Sequence, residues 1–129
     1  MSPAGDGLEG SFFMKENVLL EKSISFSIRI INLSKHLKNE KKEFEISKQL
    51  LKSGTSIGAN IREAEYGQSK NDFISKMSIA LKEAAETDYW LILLYKTEYL
   101  KNSEYESLKN DCEELIKLLT AILKTSKSH

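Results

Sequence analysis

The chain carries hydrophobic residues at helical spacing in segments that short polar stretches separate. The first segment, from about Asn17 to Asn39, has two such lines on nearly opposite sides, and Ser23 fills the one gap in the first line. The lines are Leu19, Phe26, Ile30, Leu33 and Leu37, and Leu20, Ile24, Ile28 and Ile31. A helix that is apolar on two sides needs two partners, so this helix is expected to contact more than its own bundle.

The second segment predicts a helix from about Glu43 to Tyr66. Its buried line is expected to contain Phe44, Ser47, Leu50 or Leu51, Gly54, Ile57, Ile61 and Ala64. A glycine inside a helix costs about 0.5 to 1 kcal/mol relative to alanine, so Gly54 and Gly58 are interpreted as places where another helix comes close. The alternative is a helix break at residues 53–55.

The third helix is predicted from about Lys70 to Leu100, with Ser69 as its N-cap. One face carries Phe73, Met77, Ala80, Ala84, Leu91 and Tyr95, and the far side carries Ile79, Trp90 and Leu93. Like the first helix, the third helix is therefore apolar on two sides.

The fourth helix is predicted to begin at Ser103, which has the spacing of a capping box with Glu106. It continues with apolar residues at alternating spacings of three and four, namely Tyr105, Leu108, Cys112, Leu115, Leu119 and Ile122. Such a seam is typical of nearly antiparallel helices. Four helices and three short turns predict an all-α, antiparallel up-down-up-down four-helix bundle.

Residues 1–14 are rich in glycine and are predicted to be a disordered leader or a remnant of expression cloning, which leaves residues 15–129 as the bundle domain. A chain of 129 residues fits one domain. One cysteine, no secretory signal and no apolar run of roughly 20 residues predict a cytoplasmic protein without a membrane partner.

The charges balance overall, with 19 basic and 19 acidic residues, but they are unevenly placed. Residues 15–53 hold nine Lys/Arg against five Asp/Glu, and six lysines surround the first turn. These candidate nucleic-acid-binding residues are Lys35, Lys38, Lys41, Lys42, Lys48 and Lys52. The alternative is a solvated turn that aids solubility, because a cluster of lysines without interleaved aromatic or arginine residues is a weak signature of nucleic-acid binding.

Catalytic and metal-binding patterns are missing from the sequence. A di-iron bundle needs Glu-x-x-His pairs, and neither His36 nor His129 follows a glutamate three residues earlier. Cys112 falls on the buried seam, where a free cysteine is usually structural. No Walker or dinucleotide glycine loop occurs. The sequence therefore predicts no enzyme, no metal and no cofactor.

Two polar stripes are unusual. Ser56, Asn60 and Glu63 flank the apolar positions Ile57 and Ile61 of the second helix. On the third helix Glu83 and Glu86 lie between Ile79 and Trp90. The stripes form either a ligand or metal site or, the interpretation we prefer, contacts that fix register and assembly.

Two runs carry a family resemblance. Residues 53–64 read Ser-Gly-Thr-Ser-Ile-Gly-Ala-Asn-Ile-Arg-Glu-Ala, and residues 73–86 read Phe-Ile-Ser-Lys-Met-Ser-Ile-Ala-Leu-Lys-Glu-Ala-Ala-Glu, followed by Tyr-Trp-Leu at 89–91. Together they resemble the bacterial four-helix-bundle proteins encoded in intervening sequences of 23S ribosomal RNA genes. The resemblance covers about residues 17–124.

The resemblance implies a ring-like homopentamer of four-helix protomers, with Ser56, Ile57, Asn60, Ile61, Glu63 and Glu86 in the family motif and assembly surfaces. The family has no established enzymatic role. It is similar to the accessory variability protein of diversity-generating retroelements, a basic pentamer that binds nucleic acid and a reverse transcriptase. This chain differs from that relative in having no net charge.

Two hypotheses follow. The first is a noncatalytic oligomer that binds RNA, DNA or a ribonucleoprotein through its lysine-rich end. The second is a protein-interaction scaffold, for example an accessory subunit of a reverse transcriptase, whose apolar faces recruit a protein partner.

Overall fold

The computed structural model describes the backbone of residues 7–128 and the side chains of residues 18–128. This part of the chain is all-α and contains no strand. Its elements are α1 (Gly7–Asn39), α2 (Glu45–Glu65), α3 (Lys70–Lys96) and α4 (Asn102–Ser128). Helices α1 and α3 each pack against both α2 and α4, which gives a four-helix bundle around one core.

The first helix begins earlier than its apolar pattern. α1 starts at Gly7, so residues 7–14 of the expected leader have helical backbone. Residues 1–6 lie outside the described residues, as does His129. The division of the chain at residue 14 stays a prediction.

The buried positions confirm the predicted core lines of α1 and α4. The first line of α1 is buried, including Ser23, and so is the whole seam of α4 from Tyr105 to Ile122. The second line of α1 is different. Leu20 is half-buried, whereas Ile24, Ile28 and Ile31 are 52%, 54% and 37% exposed. These three isoleucines are called the α1 apolar face below.

The second helix is continuous, so the alternative break at residues 53–55 is wrong. Gly54 faces Ile30 of α1, and Gly58 faces Ser23 of α1. Absence of side chains at these two positions lets α2 lie close to α1. The neighbouring residue Ser53 faces α3 and accepts a hydrogen bond from Thr87 Oγ1 at 2.9 Å.

The predicted helix ends are partly confirmed. Ser69 is the N-cap of α3, since its hydroxyl accepts a hydrogen bond from the backbone N–H of Asp72 at 3.0 Å. The capping box at Ser103 is wrong. α4 begins one residue earlier, and the backbone N–H of Lys101 donates to Glu104 Oε1 at 3.4 Å.

The third helix ends at Lys96, before the predicted Leu100, because the chain turns at Glu98, whose φ is 68°. After the turn, Leu100 returns to the core with 4% exposure. In the described part of the chain, no helix has the length and hydropathy needed to cross a membrane.

Candidate nucleic-acid interface

The turn between α1 and α2 is held by backbone hydrogen bonds. His36 O accepts from the N–H groups of Glu40 at 2.9 Å and Lys41 at 3.3 Å, and Leu37 O accepts from Glu43 N at 2.9 Å. Lys42 has a φ of 57°, the left-handed conformation that reverses the chain before α2. A short and bonded turn therefore presents its side chains from a fixed backbone.

All of the predicted nucleic-acid-binding lysines are exposed at this turn or next to it. Two belong to the last turns of α1, two to the connecting segment and two to the first half of α2. They are Lys35 and Lys38, Lys41 and Lys42, and Lys48 and Lys52. This set is called the lysine-rich end. All six lysines therefore have solvent-exposed side chains in the segment that joins α1 to α2 and in the adjoining helix turns, where phosphate groups could reach them.

Three glutamates lie within the same stretch, so residues 35–52 contain six lysines against three acidic residues. Glu43 is occupied by a structural contact, because its Oε1 atom accepts from the backbone N–H of Ser47 at 2.7 Å. Glu40 and Glu45 are exposed. The surface thus remains net positive, with one of its acidic groups turned to the start of α2.

Phe44 is not where the sequence placed it. The apolar line of the second helix was expected to bury it, but α2 begins at Glu45, and Phe44 is the N-cap residue with φ −107° and 56% exposure. Ser47 and Leu50 are the first fully buried residues of that line. An exposed aromatic ring therefore lies between Lys42 and Lys48 in the chain, and the periodicity did not predict its exposure because α2 begins two residues after the predicted start at Glu43.

The family-motif residues of α2 divide into a core pair and a polar stripe. Ile57 and Ile61 are completely buried. The stripe bonds locally: Ser56 Oγ donates to Lys52 O at 2.6 Å, and Asn60 Nδ2 donates to Ser56 O at 2.8 Å. These contacts are structural, and they occupy one donor on each side chain.

Glu63 connects the stripe to α3, because its Oε1 atom lies 3.1 Å from Lys76 Nζ. On α3 itself, Glu86 Oε2 accepts from Trp90 Nε1 at 3.3 Å, and Glu86 is exposed. Glu83 is half-buried. Within the described residues no three His, Cys, Asp or Glu side chains are grouped so as to hold a metal ion.

Cys112 lies in the core of the bundle, as its place on the α4 seam predicted. Its exposed fraction is 0%, and Sγ donates to the backbone carbonyl of Ala84 at 3.3 Å. Burial, with a contribution from the carboxylate of Asp88, raises the pKa of the thiol to about 12. A thiol that keeps its proton is a poor nucleophile, so the geometry favours a structural role.

Two ion pairs between α1 and α4 are not predicted by the sequence pattern. Arg29 Nη1 lies 2.6 Å from Asp111 Oδ2, and Lys22 Nζ lies 3.0 Å from Glu114 Oε1. The signal that could have found them is the spacing of each charge just beside the buried lines of the two helices. They stabilise the seam between the first and last helices.

Comparison with known proteins agrees with the two motif runs. The model of one family, the 23S rRNA-intervening sequence proteins, matches residues 15–121. The chain belongs to this family. The match covers the core lines of the four helices except the end of α4, together with the lysine-rich end and both polar stripes, and it confirms the family predicted from the sequence.

One solved structure is similar to this chain over most of its length. It is a crystal structure at 1.70 Å from Bacteroides thetaiotaomicron, described as a protein with unknown function from the S23 ribosomal protein family. The two chains are 61% identical, and the similarity covers 85% of this chain and 98% of that one, with a TM-score of 0.84. No curated protein matches this chain.

Proposed function

We propose that this chain is a noncatalytic, cytoplasmic, oligomeric bundle that binds RNA, or a ribonucleoprotein, through its lysine-rich end. The observation that carries the proposal is the exposure of six lysines around one bonded turn. Phosphate groups bind such clusters by releasing counterions, which does not require a positive net charge of the whole protein. The S23 ribosomal description of the solved relative supports a ribonucleoprotein partner.

The proposed protomer is an antiparallel up-down-up-down bundle. Contacts between neighbouring helices support it, since a later residue of one helix repeatedly meets an earlier residue of the next. Between α1 and α2, Gly58 faces Ser23 and Gly54 faces Ile30. Further pairs with the same sense are Ser53 with Thr87 and Glu63 with Lys76, and Ala84 with Cys112 and Tyr95 with Tyr105.

The proposed assembly is a ring-like homopentamer. Its support in the structure is the α1 apolar face, where Ile24 and Ile28 are each more than half exposed. Isoleucine is among the residue types most often buried, and a row of three on one helix surface is typical of a protein contact. A ring would repeat the lysine-rich end once per copy and so raise the local concentration of positive charge.

Binding of a structured RNA at increasing salt tests the nucleic-acid proposal. The expected result is an affinity that falls steeply with salt, because each neutralised phosphate releases counterions. The triple variant Lys38→Glu, Lys41→Glu, Lys42→Glu is expected to lower both the affinity and the salt slope. Size-exclusion chromatography with light scattering, with and without total host RNA, measures the assembly in the same preparation.

A matched control variant replaces three lysines by glutamate outside the lysine-rich end. The control residues lie in the C-terminal half of α4 and are exposed. They are Lys117, Lys124 and Lys127. Their triple replacement by glutamate is expected to leave the salt slope near that of the unchanged protein. Absent binding, or equal losses in both triple variants, would contradict a site at the lysine-rich end.

The second candidate function is a scaffold for a protein partner, such as an accessory subunit of a reverse transcriptase. The α1 apolar face favours it, since the same surface could be covered by another protein. A pull-down from the native host with nucleases present separates the two functions. A partner that survives nuclease treatment and is lost with Ile28→Asp supports the scaffold.

A further inference from the structure

The lysine-rich end contains one exposed aromatic ring, and its position is set by the fold. Phe44 precedes the first residue of α2 and is 56% exposed, while Ile46 and Ser47 make the first contacts of α2 with the rest of the bundle. A phenylalanine beside the turn is not needed by the core, which Leu50, Ile57 and Ile61 fill on this helix. The ring is free to contact a ligand.

Positive side chains flank the ring in the sequence on both sides. Lys42 and Lys41 come two and three positions before it, and Lys48 comes four positions after it, all exposed. The nearest acidic side chain before it, Glu43, accepts a hydrogen bond from Ser47 N at 2.7 Å, while Glu40 and Glu45 are exposed. Exposed aromatic rings set between cationic groups are the arrangement that binds unpaired bases with their phosphates.

We propose that an unpaired nucleobase stacks on Phe44 while Lys41, Lys42 and Lys48 bind the neighbouring phosphates, so that the ligand is a single-stranded segment or loop of nucleic acid. This inference rests on the proposed function and narrows it. A paired base keeps both of its faces stacked on its neighbours within a duplex, so the ring can contact it only at a strand end. Stacking makes the site selective for flexible strands.

The test compares binding of a single-stranded RNA, a single-stranded DNA of the same sequence and a blunt RNA duplex of equal length. The full chain is used unchanged and as Phe44→Leu, which keeps an apolar side chain but removes the ring. Phe44→Leu is expected to weaken single-strand binding about tenfold and to change the weaker duplex binding much less, since only the two end pairs of a blunt duplex offer a free base face. Its salt slope stays the same, since no charge is lost, whereas Lys41→Gln lowers the slope.

A matched control and a direct readout complete the test. Tyr66, 71% exposed at the other end of α2, is replaced as Tyr66→Leu and is expected to have no effect on binding. Phe44→Trp is expected to retain affinity. Replacing one base with 2-aminopurine reports stacking as fluorescence quenching, which Phe44→Leu should remove.

Three results are distinguishable. If the unchanged protein binds none of the three nucleic acids, the proposed function fails. If it binds with a salt-dependent affinity that Phe44→Leu leaves intact, or prefers the duplex, the function stands and the stacking site is overturned. If Phe44→Leu weakens binding of the single strands, the stacking site is supported. Comparing the affinities for single-stranded RNA and single-stranded DNA then shows whether the site prefers ribose or deoxyribose.

Discussion

Gly54 of α2 lies so close to Ile30 of α1 that a Cβ atom at Gly54 would be 2.7 Å from Ile30 Cγ2 and 3.0 Å from Ile30 Cγ1. Ile30 is fully buried. A branched side chain in the core cannot turn away as the end of a flexible chain can. The two helices therefore approach as closely as they do because position 54 has no side chain.

Gly54→Ala is expected to lower the free energy of unfolding by about 1 to 3 kcal/mol, since overpacking outweighs the gain in helix propensity. Urea unfolding followed by circular dichroism measures it. Gly58→Ala is the matched control: its Cβ would lie 3.1 Å from Ser23 Oγ, and a hydroxyl is easier to displace, so a smaller loss is expected. The double variant Gly54→Ala, Ile30→Ala should lose less stability than the sum of the two single variants, because Ile30→Ala removes the clash, and strict additivity would contradict the clash.

Stability is expected to fall as pH rises above about 9 through the titration of Cys112. Burial raises the thiol pKa from 9.0 to about 12, so the folded protein holds this proton more tightly than the unfolded chain does. The stabilisation is fully present below about pH 9 and is lost as pH approaches about 12. Unfolding free energies of the unchanged protein and of Cys112→Ser, measured across this range, should converge as pH rises. Parallel curves would show that the thiol is not responsible.

The ion pair between Arg29 and Asp111 is expected to contribute only about 0.5 kcal/mol, because both side chains are more than one third exposed. A double-mutant cycle with Arg29→Ala and Asp111→Ala measures this coupling. Arg29 also donates a hydrogen bond to Ser107 O at 3.4 Å. This bond is lost in both variants that lack Arg29, so its energy cancels in the cycle. Repeating the cycle in 1 M salt should reduce the coupling, since screening acts on exposed charges. A coupling that salt does not change would argue against a surface ion pair.

Ile28→Asp is expected to reduce the mass of the proposed oligomer toward that of one chain without loss of helical content. Ile28 is 54% exposed on the surface of the protomer, so an aspartate there meets water in a single copy but would be buried between copies. Light scattering gives the mass, and circular dichroism gives the helix content. Val18→Asp, at a residue 39% exposed on the same helix, is the control. An oligomer of unchanged mass would place the contact elsewhere.

Helical periodicity predicted the interior of this fold well and its boundaries less well. The seam from Tyr105 to Ile122 is buried throughout, because alternating spacings of three and four leave a helix one face to bury. α2 begins at Glu45, two residues after the predicted start, and Phe44 is therefore exposed and not part of the core. Periodicity cannot distinguish the first residue of a helix from the residue before it.

Tertiary contacts explain the remaining differences. Ser103 and Glu106 have capping-box spacing, yet the helix begins at Asn102, whose Oδ1 accepts from Tyr95 OH at 2.9 Å while the rings of Tyr95 and Tyr105 stack. The start of α4 is therefore accompanied by contacts with α3 as well as by the local bond from Lys101 N–H to Glu104 Oε1, and the spacing of Ser103 and Glu106 predicts neither. The exposure of the lysines in the candidate site was predictable, because lysine is rarely buried. The exposure of Phe44 was not, because it depends on the residue at which α2 begins.

The burial of Cys112 has a practical result for anyone who attaches a probe to this protein. The chain has one native cysteine, and its thiol is enclosed against Ala84. A cysteine introduced at an exposed position, such as Lys52 or Ser75, would react with a maleimide dye far faster than the native one. Site-specific fluorophores and spin labels can therefore be introduced while the interior keeps its natural sulfur atom.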